Sequence, residues 1–242
     1  MIHRHSIVYR AAAALVVMSA LCVASAGCKK KADAEKAAAP PVAKVDNSLG
    51  TRLNAMSAQA QIDTMRALVK TDTSDAQLRF FAGNAYYSYA SGLDASAPNR
   101  NAYFDSANAQ YQGAVKIDST MSKVWVNMGL AYVDAGKRPQ ARHAFEKAIE
   151  VNPKDVLAYC HLGYLDHMTG NLSDAMAMYK QALSIDPNSA QAHYNLGLAF
   201  AEQKIFNEAV REWQIVIKTD PNSDLGKTAA ENVKIITQYN SK

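Results

Sequence analysis

Residues 122–155 read SKVWVNMGLAYVDAGKRPQARHAFEKAIEVNPKD, and this stretch decides the fold. Its apolar side chains recur every three or four residues, which predicts two amphipathic helices. Gly136 marks a turn between them, and Pro153 ends the second helix because proline cannot continue one. Gly129 and Ala141 carry almost no side chain, so the two helices can approach closely there. The stretch therefore predicts a helical hairpin.

The same pattern returns twice at a spacing of 34 residues and without a gap, in residues 156–189 and 190–223. The internal glycine and alanine and the closing proline keep their places in both copies, as Gly163, Ala175 and Pro187 and then as Gly197, Ala209 and Pro221. Each hairpin leaves an apolar face that the next one can cover, so the copies are expected to stack as an open array.

Weaker forms of the pattern extend to both ends. Residues 76–121 predict a degenerate copy of 46 residues, twelve more than the others, with the extra residues around 88–101. We expect growth of a surface loop there, since loops tolerate insertion, and a lip that contacts a partner is the alternative. Residues 51–75 predict a single N-terminal helix, and residues 224–242 predict a helix that caps the array.

This spacing, with its landmark residues, resembles the tetratricopeptide repeat, a 34-residue helix–turn–helix unit. The resemblance implies an all-α, right-handed superhelical solenoid of antiparallel helix pairs, in which the first helices line a concave groove that holds a partner peptide. Two positions depart from the family pattern: Asp166 stands where an aromatic residue is usual, and His193 stands where Trp or Tyr is common. Some family members clamp a terminal carboxylate with Lys, Arg and Asn, but here we expect no cation beside the groove asparagines.

The candidate binding groove is the flank of each first helix that does not pack on its own second helix. This flank is apolar and aromatic with a few polar groups, which suits a protein or peptide partner with hydrophobic anchors. For any single residue, simple packing is the stronger interpretation, and only the whole row supports the hypothesis. The row consists of Phe80, Asn84, Tyr87, Asn127, Leu130, Cys160, His161, Tyr164, Tyr194, Asn195 and Leu198.

The N-terminus predicts export. Residues 1–27 combine a basic start with an apolar run of about signal-peptide length. Residues 25–28, Ser-Ala-Gly-Cys, resemble the lipobox of bacterial lipoproteins, although Ser25 stands where Leu is preferred, and the resemblance implies a lipid on Cys28. Residues 28–50 are rich in Lys, Ala and Pro and predict a tether. Residues 24–26, Ala-Ser-Ala, leave a second possibility open, namely cleavage after Ala26 to release a soluble periplasmic binding module or chaperone.

Together these features predict an envelope lipoprotein that acts as an adaptor in an envelope assembly. Lys29, which follows Cys28, favours the outer membrane facing the periplasm, by analogy with enterobacterial sorting. With Cys22 removed and Cys28 acylated, Cys160 has no partner, so no intramolecular disulfide is expected.

Charge and motifs disfavour other functions. The chain carries a net charge of +4, but residues 51–242 hold 19 basic and 19 acidic side chains, so the repeats offer no net charge to nucleic acid. No phosphate-binding loop, metalloprotease motif or serine-hydrolase motif occurs. We therefore expect no enzyme activity, cofactor, metal or small-molecule substrate. If an unrecognised catalytic site exists, His161 is its first candidate.

Overall fold

The structure, a computed structural model, describes Leu49, Leu53 and residues 55–240. This part of the chain contains ten helices and no strand, which confirms the predicted all-α fold of repeated helix pairs. The helices are α1 (Ala58–Thr71), α2 (Ala76–Gly92), α3 (Arg100–Ile117), α4 (Ser122–Asp134), α5 (Arg138–Val151), α6 (Val156–Met168), α7 (Leu172–Ile185), α8 (Ala190–Glu202), α9 (Phe206–Thr219) and α10 (Asp224–Asn240).

The helices fall into two compact units that meet in sequence between Pro153 and Lys154. In the N-terminal unit, α2 packs on α3 and α4 packs on α5, while α1 lies against α2 and α3 lies against α4. In the C-terminal unit, α6 packs on α7 and α8 on α9, and α10 lies against α9. The first helix of every predicted hairpin thus packs on its second helix.

Glycine makes this packing close. A Cβ atom at Gly129 would lie 2.4 Å from Cε1 of the fully buried Phe145, and one at Gly197 would lie 2.5 Å from Nε1 of the fully buried Trp213. Real Cβ atoms do not approach neighbours so closely, so any other residue at either position must displace an aromatic ring that the core holds. The predicted close approach of the paired helices is therefore a property of the structure.

The turn inside each repeat needs a left-handed residue. Gly136 and Gly170 adopt φ angles of 74° and 82°, which cost glycine nothing. The third copy has Lys204 at the equivalent place, with a φ angle of 63°. Because an L side chain in this conformation costs about 1 kcal/mol or more, the surrounding helices impose the turn on Lys204.

The twelve extra residues of the degenerate copy only partly enlarge a loop. Helix α2 has 17 residues where α4 has 13, and α3 has 18 where α5 has 14. Each helix of this copy is therefore longer by one turn, and only four of the extra residues lie in the connection. The expectation of simple loop growth is corrected, because extending two packed helices buries more surface than a longer loop would.

The predictions for the N-terminus fall largely outside the described residues. The signal peptide at 1–27, Cys28 and nearly all of the tether at 28–50 lie there. Leu49, at the end of the predicted tether, is only 5% exposed and packs with Leu53 in the cluster around Ile62 and Met65 of α1. Leu49 and Leu53 thus belong to the core. None of the described helices combines the length and the apolar character that a membrane span requires.

Candidate protein-binding site on the first helices

In the N-terminal unit the predicted groove residues lie on α2 and α4. We call this surface the first-helix face of the unit. All five predicted residues on it are half-buried, which leaves part of each side chain open to a partner. They and the neighbouring Asp134 make up the face, namely Phe80, Asn84 and Tyr87 on α2 and Asn127, Leu130 and Asp134 on α4.

Two asparagines join the helices at the centre of this face. Asn127 Nδ2 donates a hydrogen bond of 2.8 Å to Asn84 Oδ1, which also accepts a 2.8 Å bond from the hydroxyl of the buried Tyr111. Burial raises the pKa of Tyr111, so its hydroxyl stays a donor. Among the described residues, no further hydrogen bond uses Asn84 Nδ2 or Asn127 Oδ1. The pair therefore offers one donor and one acceptor, the two groups that bind a peptide backbone.

A second polar bridge lies one turn further along α2 and two turns further along α4. The Tyr87 hydroxyl donates a 2.8 Å hydrogen bond to Asp134 Oδ2, across 47 residues of sequence. Burial is the largest cause that raises the pKa of each group, and the carboxylate of Asp134 raises the pKa of Tyr87 further. The guanidinium of Arg100 opposes both shifts, and it lies 4.8 Å above the ring of Phe104. Arg100 belongs to the extra turn of α3.

Sequence reasoning missed two cations near this face. Arg100 escaped notice because it lies on a second helix and in the insertion, not on a first-helix flank. Lys123 is exposed and precedes Asn127 by four residues on α4, which places the two on the same side of that helix. The expectation that no cation lies beside the groove asparagines overlooked Lys123, although its four-residue spacing from Asn127 is visible in the sequence.

In the C-terminal unit the equivalent face lies on α6 and α8 and is largely closed. Cys160, Tyr194, Asn195 and Leu198 are buried, with Tyr194 only 3% and Leu198 only 4% exposed. Both of these residues belong to a cluster that includes Ala229 and Ile236 of α10. The prediction that these four residues are exposed anchors is therefore wrong. They are interior residues, because the terminal helix and close helix packing cover them. His161 and Tyr164 remain half-buried.

Tyr194 contacts residues of both α9 and α10. Its ring centroid lies 6.4 Å from that of Trp213, whose Nε1 donates a 3.1 Å hydrogen bond to the Tyr194 carbonyl oxygen. Asn232 Nδ2 of α10 donates to the Tyr194 hydroxyl at 3.4 Å. Gln191 Nε2 donates to Asn195 Oδ1 at 2.9 Å. The hydroxyl and carbonyl oxygen of Tyr194 and the amide oxygen of Asn195 therefore have partners within the unit itself.

Cys160 and His161 do not form a reactive pair. Burial raises the pKa of the Cys160 thiol to about 12, so it stays protonated at neutral pH. Burial also lowers the pKa of His161 to about 4 despite the opposing charge of Asp155, so the imidazole is neutral. Within residues 55–240 no three His, Cys, Asp or Glu side chains come together as a metal site would require.

Two other histidines have structural partners. His167 Nε2 lies 2.5 Å from Glu202 Oε2, which links α6 to α8. His193 occupies the place where the repeat pattern has Trp or Tyr. Its Nδ1 lies 2.6 Å from Glu212 Oε2, and its Nε2 lies 3.0 Å from the Pro187 carbonyl oxygen. The imidazole thus fills the aromatic position and links the loop before α8 to α9.

Comparison with protein-family models identifies the repeats. Residues 122–155, 144–177 and 191–223 match tetratricopeptide repeat models, and residues 163–204 match a TPR repeat model. No curated protein matches the sequence.

Solved structures resemble the chain in fold. A thermophilic TPR protein from Thermus thermophilus, TTC0263, shares 17% identity and a TM-score of 0.61 over 76% of this chain and 95% of its own. MamA shares 20% identity and a TM-score of 0.59 over 74% of this chain and 97% of its own. YrrB, described as a TPR protein with an unusual peptide-binding site, shares 20% identity and a TM-score of 0.53 over 76% of this chain and 86% of its own.

Proposed function

We propose that the chain, whose residues 122–223 match tetratricopeptide repeat models, is a non-enzymatic scaffold that binds a protein or peptide segment on the first-helix face of its N-terminal unit. The observation that carries this proposal is the asparagine pair, in which Asn84 and Asn127 bridge two helices and still offer a donor and an acceptor. YrrB, which has the same fold, is described as having a peptide-binding site, and this supports a binding role for the fold.

The surroundings of the pair define the partner. Phe80 and Leu130 offer half-buried apolar surface on either helix, where hydrophobic anchors of a partner can pack. Lys123 adds one exposed cation at the beginning of α4, and Asp134 has Arg100 nearby. The segment that fits is extended or helical, with apolar anchors and few charges. Its affinity should therefore depend only weakly on salt.

Photocrosslinking in cells tests this site. A photoreactive amino acid at Leu130 should crosslink to one specific partner, whereas the same amino acid at the exposed Lys180 of α7 should not. The partner is then titrated against Asn127→Ala, Lys123→Ala and the matched control Lys180→Ala. Loss of the Asn127 amide should weaken binding about tenfold, since a partner's polar group is then left unpaired. Equal binding by all three variants would move the site away from this face.

The membrane anchor is the second part of the proposal. Residues 1–27 have the form of a signal peptide, and small residues precede Cys28 at the end of the apolar run. A diacylglycerol and an N-acyl chain on Cys28 would hold the scaffold durably at a membrane, whereas a single acyl chain binds only marginally. The protein would then be an adaptor in a bacterial envelope assembly, at the outer membrane facing the periplasm.

Mass spectrometry of the mature protein separates the anchored form from the soluble alternative. Acyl mass on an N-terminal Cys28 supports the lipoprotein, while a free N-terminus at Gly27 supports a periplasmic module released after Ala26. Cys28→Ala should abolish acylation and should remove the protein from the membrane fraction or leave it uncleaved. A variant that is still acylated and processed like the natural protein would refute the lipobox assignment.

A further inference from the structure

An open apolar groove lies on the opposite side of α4 from the asparagine pair. Its volume is about 590 Å³, within the usual range for ligand-binding pockets. Helix α4 contributes Trp125, Met128 and Tyr132 to it. At 100° per residue these positions point roughly away from Asn127 and Leu130, so the two surfaces are separate. Val115 of α3 and Pro139 of α5 line the sides of this outer groove.

At the equivalent place in the preceding repeat, beside α1, α2 and α3, the chain supplies its own aromatic rings. Tyr86 takes the place of Tyr132, and it accompanies Tyr89 and Tyr103, whose ring centroids are 4.5 Å apart. All three pack against the cluster formed by α1 and α2. The two places also share a polar position: Gln112 Nε2 donates to the Tyr132 hydroxyl at 2.9 Å, and Arg66, at the corresponding position of α1, interacts electrostatically with Tyr86.

The insertion explains why these rings are present in the preceding repeat and absent from the outer groove. Tyr89 lies in the extra last turn of α2 and Tyr103 in the extra first turn of α3. The repeat at 122–155 lacks both turns, and its short connection has Ala135 and Lys137 at the corresponding places. The outer groove is therefore a site for aromatic rings that this repeat does not itself provide.

The charge around the outer groove indicates which residues should flank the aromatic rings of a partner. The cation Lys116 lies at the edge of the outer groove and is exposed, and no Asp or Glu is among the lining residues of this described pocket. The amides of Gln112 and Gln140 add hydrogen-bond donors. We propose that the outer groove binds a segment of a partner protein that carries tyrosine side chains flanked by carboxylates, independently of the asparagine site.

Trp125 gives a direct readout. The chain has two tryptophans, and Trp213 is fully buried in the other unit, so a ligand in the outer groove changes the emission of Trp125. The probe is the capped peptide Glu-Tyr-Ala-Ala-Tyr-Glu, titrated into the full chain. A peptide with Lys in place of both Glu should bind about tenfold more weakly, and one with Ala in place of both Tyr should leave the emission unchanged.

Matched variants locate the binding. Lys116→Glu should weaken binding about fivefold, whereas Lys70→Glu, at the equivalent exposed position of α1, should change it less than about twofold. Val115→Phe should reduce binding by filling the groove, and Asn127→Ala should leave it unchanged. Four outcomes would overturn the proposal: no change in Trp125 emission, equal binding of the Lys-flanked peptide, equal loss in Lys70→Glu, or loss in Asn127→Ala. The last would assign the peptide to the first-helix face instead.

Discussion

The two units use the same kind of surface in opposite ways. In the N-terminal unit, the first-helix face is half-buried and is bridged by polar pairs between α2 and α4. In the C-terminal unit, every residue from Ala192 to Ala199 of α8 is buried, and α10 contributes to the cluster that encloses Tyr194 and Leu198. A tyrosine or asparagine at a groove position is therefore a binding residue or a core residue according to what packs against it.

Replacing one tyrosine in each unit tests this difference most strongly. Tyr194→Ala should lower the free energy of unfolding by about 3–5 kcal/mol, because it leaves a cavity against Trp213 and removes the hydroxyl that accepts a hydrogen bond from Asn232. Tyr87→Ala should cost about 1–2 kcal/mol, since its ring is only half-buried. Denaturant unfolding followed by tryptophan emission measures both, and equal losses would contradict the contrast between the faces.

The beginning of α10 offers the next test. A Cβ at Gly226 would lie 2.0 Å from the Asp220 carbonyl oxygen, and backbone cannot move aside cheaply. Gly226→Ala should therefore displace α10 and cost about 3 kcal/mol. Gly92→Ala is the control, because a Cβ there meets nothing within 4 Å and alanine favours helix by about 0.5–1 kcal/mol. Iodide quenching of Trp213 should increase in the first variant only. Unchanged quenching there would mean that α10 does not protect this face.

The pH dependence of stability tests the surroundings of His161 in the C-terminal unit. Its folded-state pKa is about 4, below the ordinary 6.5, so the folded state binds fewer protons than the unfolded state between these values. Stability should therefore fall as pH drops from 6.5 towards 4, by about 2 kcal/mol at pH 5. His161→Gln should remove this loss, while His143→Gln, at an exposed position of the other unit, should not. A parallel pH profile for the natural protein and both variants would contradict the lowered pKa of His161.

The smallest expected effect concerns the polar bridge of the open face. Tyr87→Phe removes the hydroxyl that donates to Asp134 and should cost about 1 kcal/mol, because Asp134 can turn to water. Asp134→Asn keeps an acceptor for the hydroxyl and should cost less. Thermal melts of the two variants measure this. A loss above about 3 kcal/mol in Tyr87→Phe would show that the open face is as tightly built as the closed one.

The helix pairs and their turns could be predicted from sequence because they depend on local spacing. Apolar periodicity, glycine at the close contacts and proline at the ends placed the helices near the bounds that the structure has. The insertion was harder, since loop growth and helix extension leave the same excess length. Only packing, here the tilted ring contact between Tyr89 and Tyr103, decides between them.

The candidate site could be predicted only in part. The flank of a helix follows from its 3.6-residue period, so Asn84 and Asn127 were found on the right side of α2 and α4. Exposure does not follow from that period, because it depends on residues far away in sequence. Tyr194 is hidden by partners 19 and 38 positions further on, Trp213 and Asn232, and no local pattern reports them.

The sequence by itself determined the repeat, the pairing of its helices and the location of its turns, since each depends on residues within one turn or one 34-residue period. The tertiary structure alone decided which faces stay open. It also decided that Arg100 lies over the ring of Phe104 and that Lys204 adopts the left-handed conformation usual for glycine. The physical reason is that burial, charge proximity and imposed backbone geometry are sums over all neighbours in space, and chain order fixes only some of those neighbours.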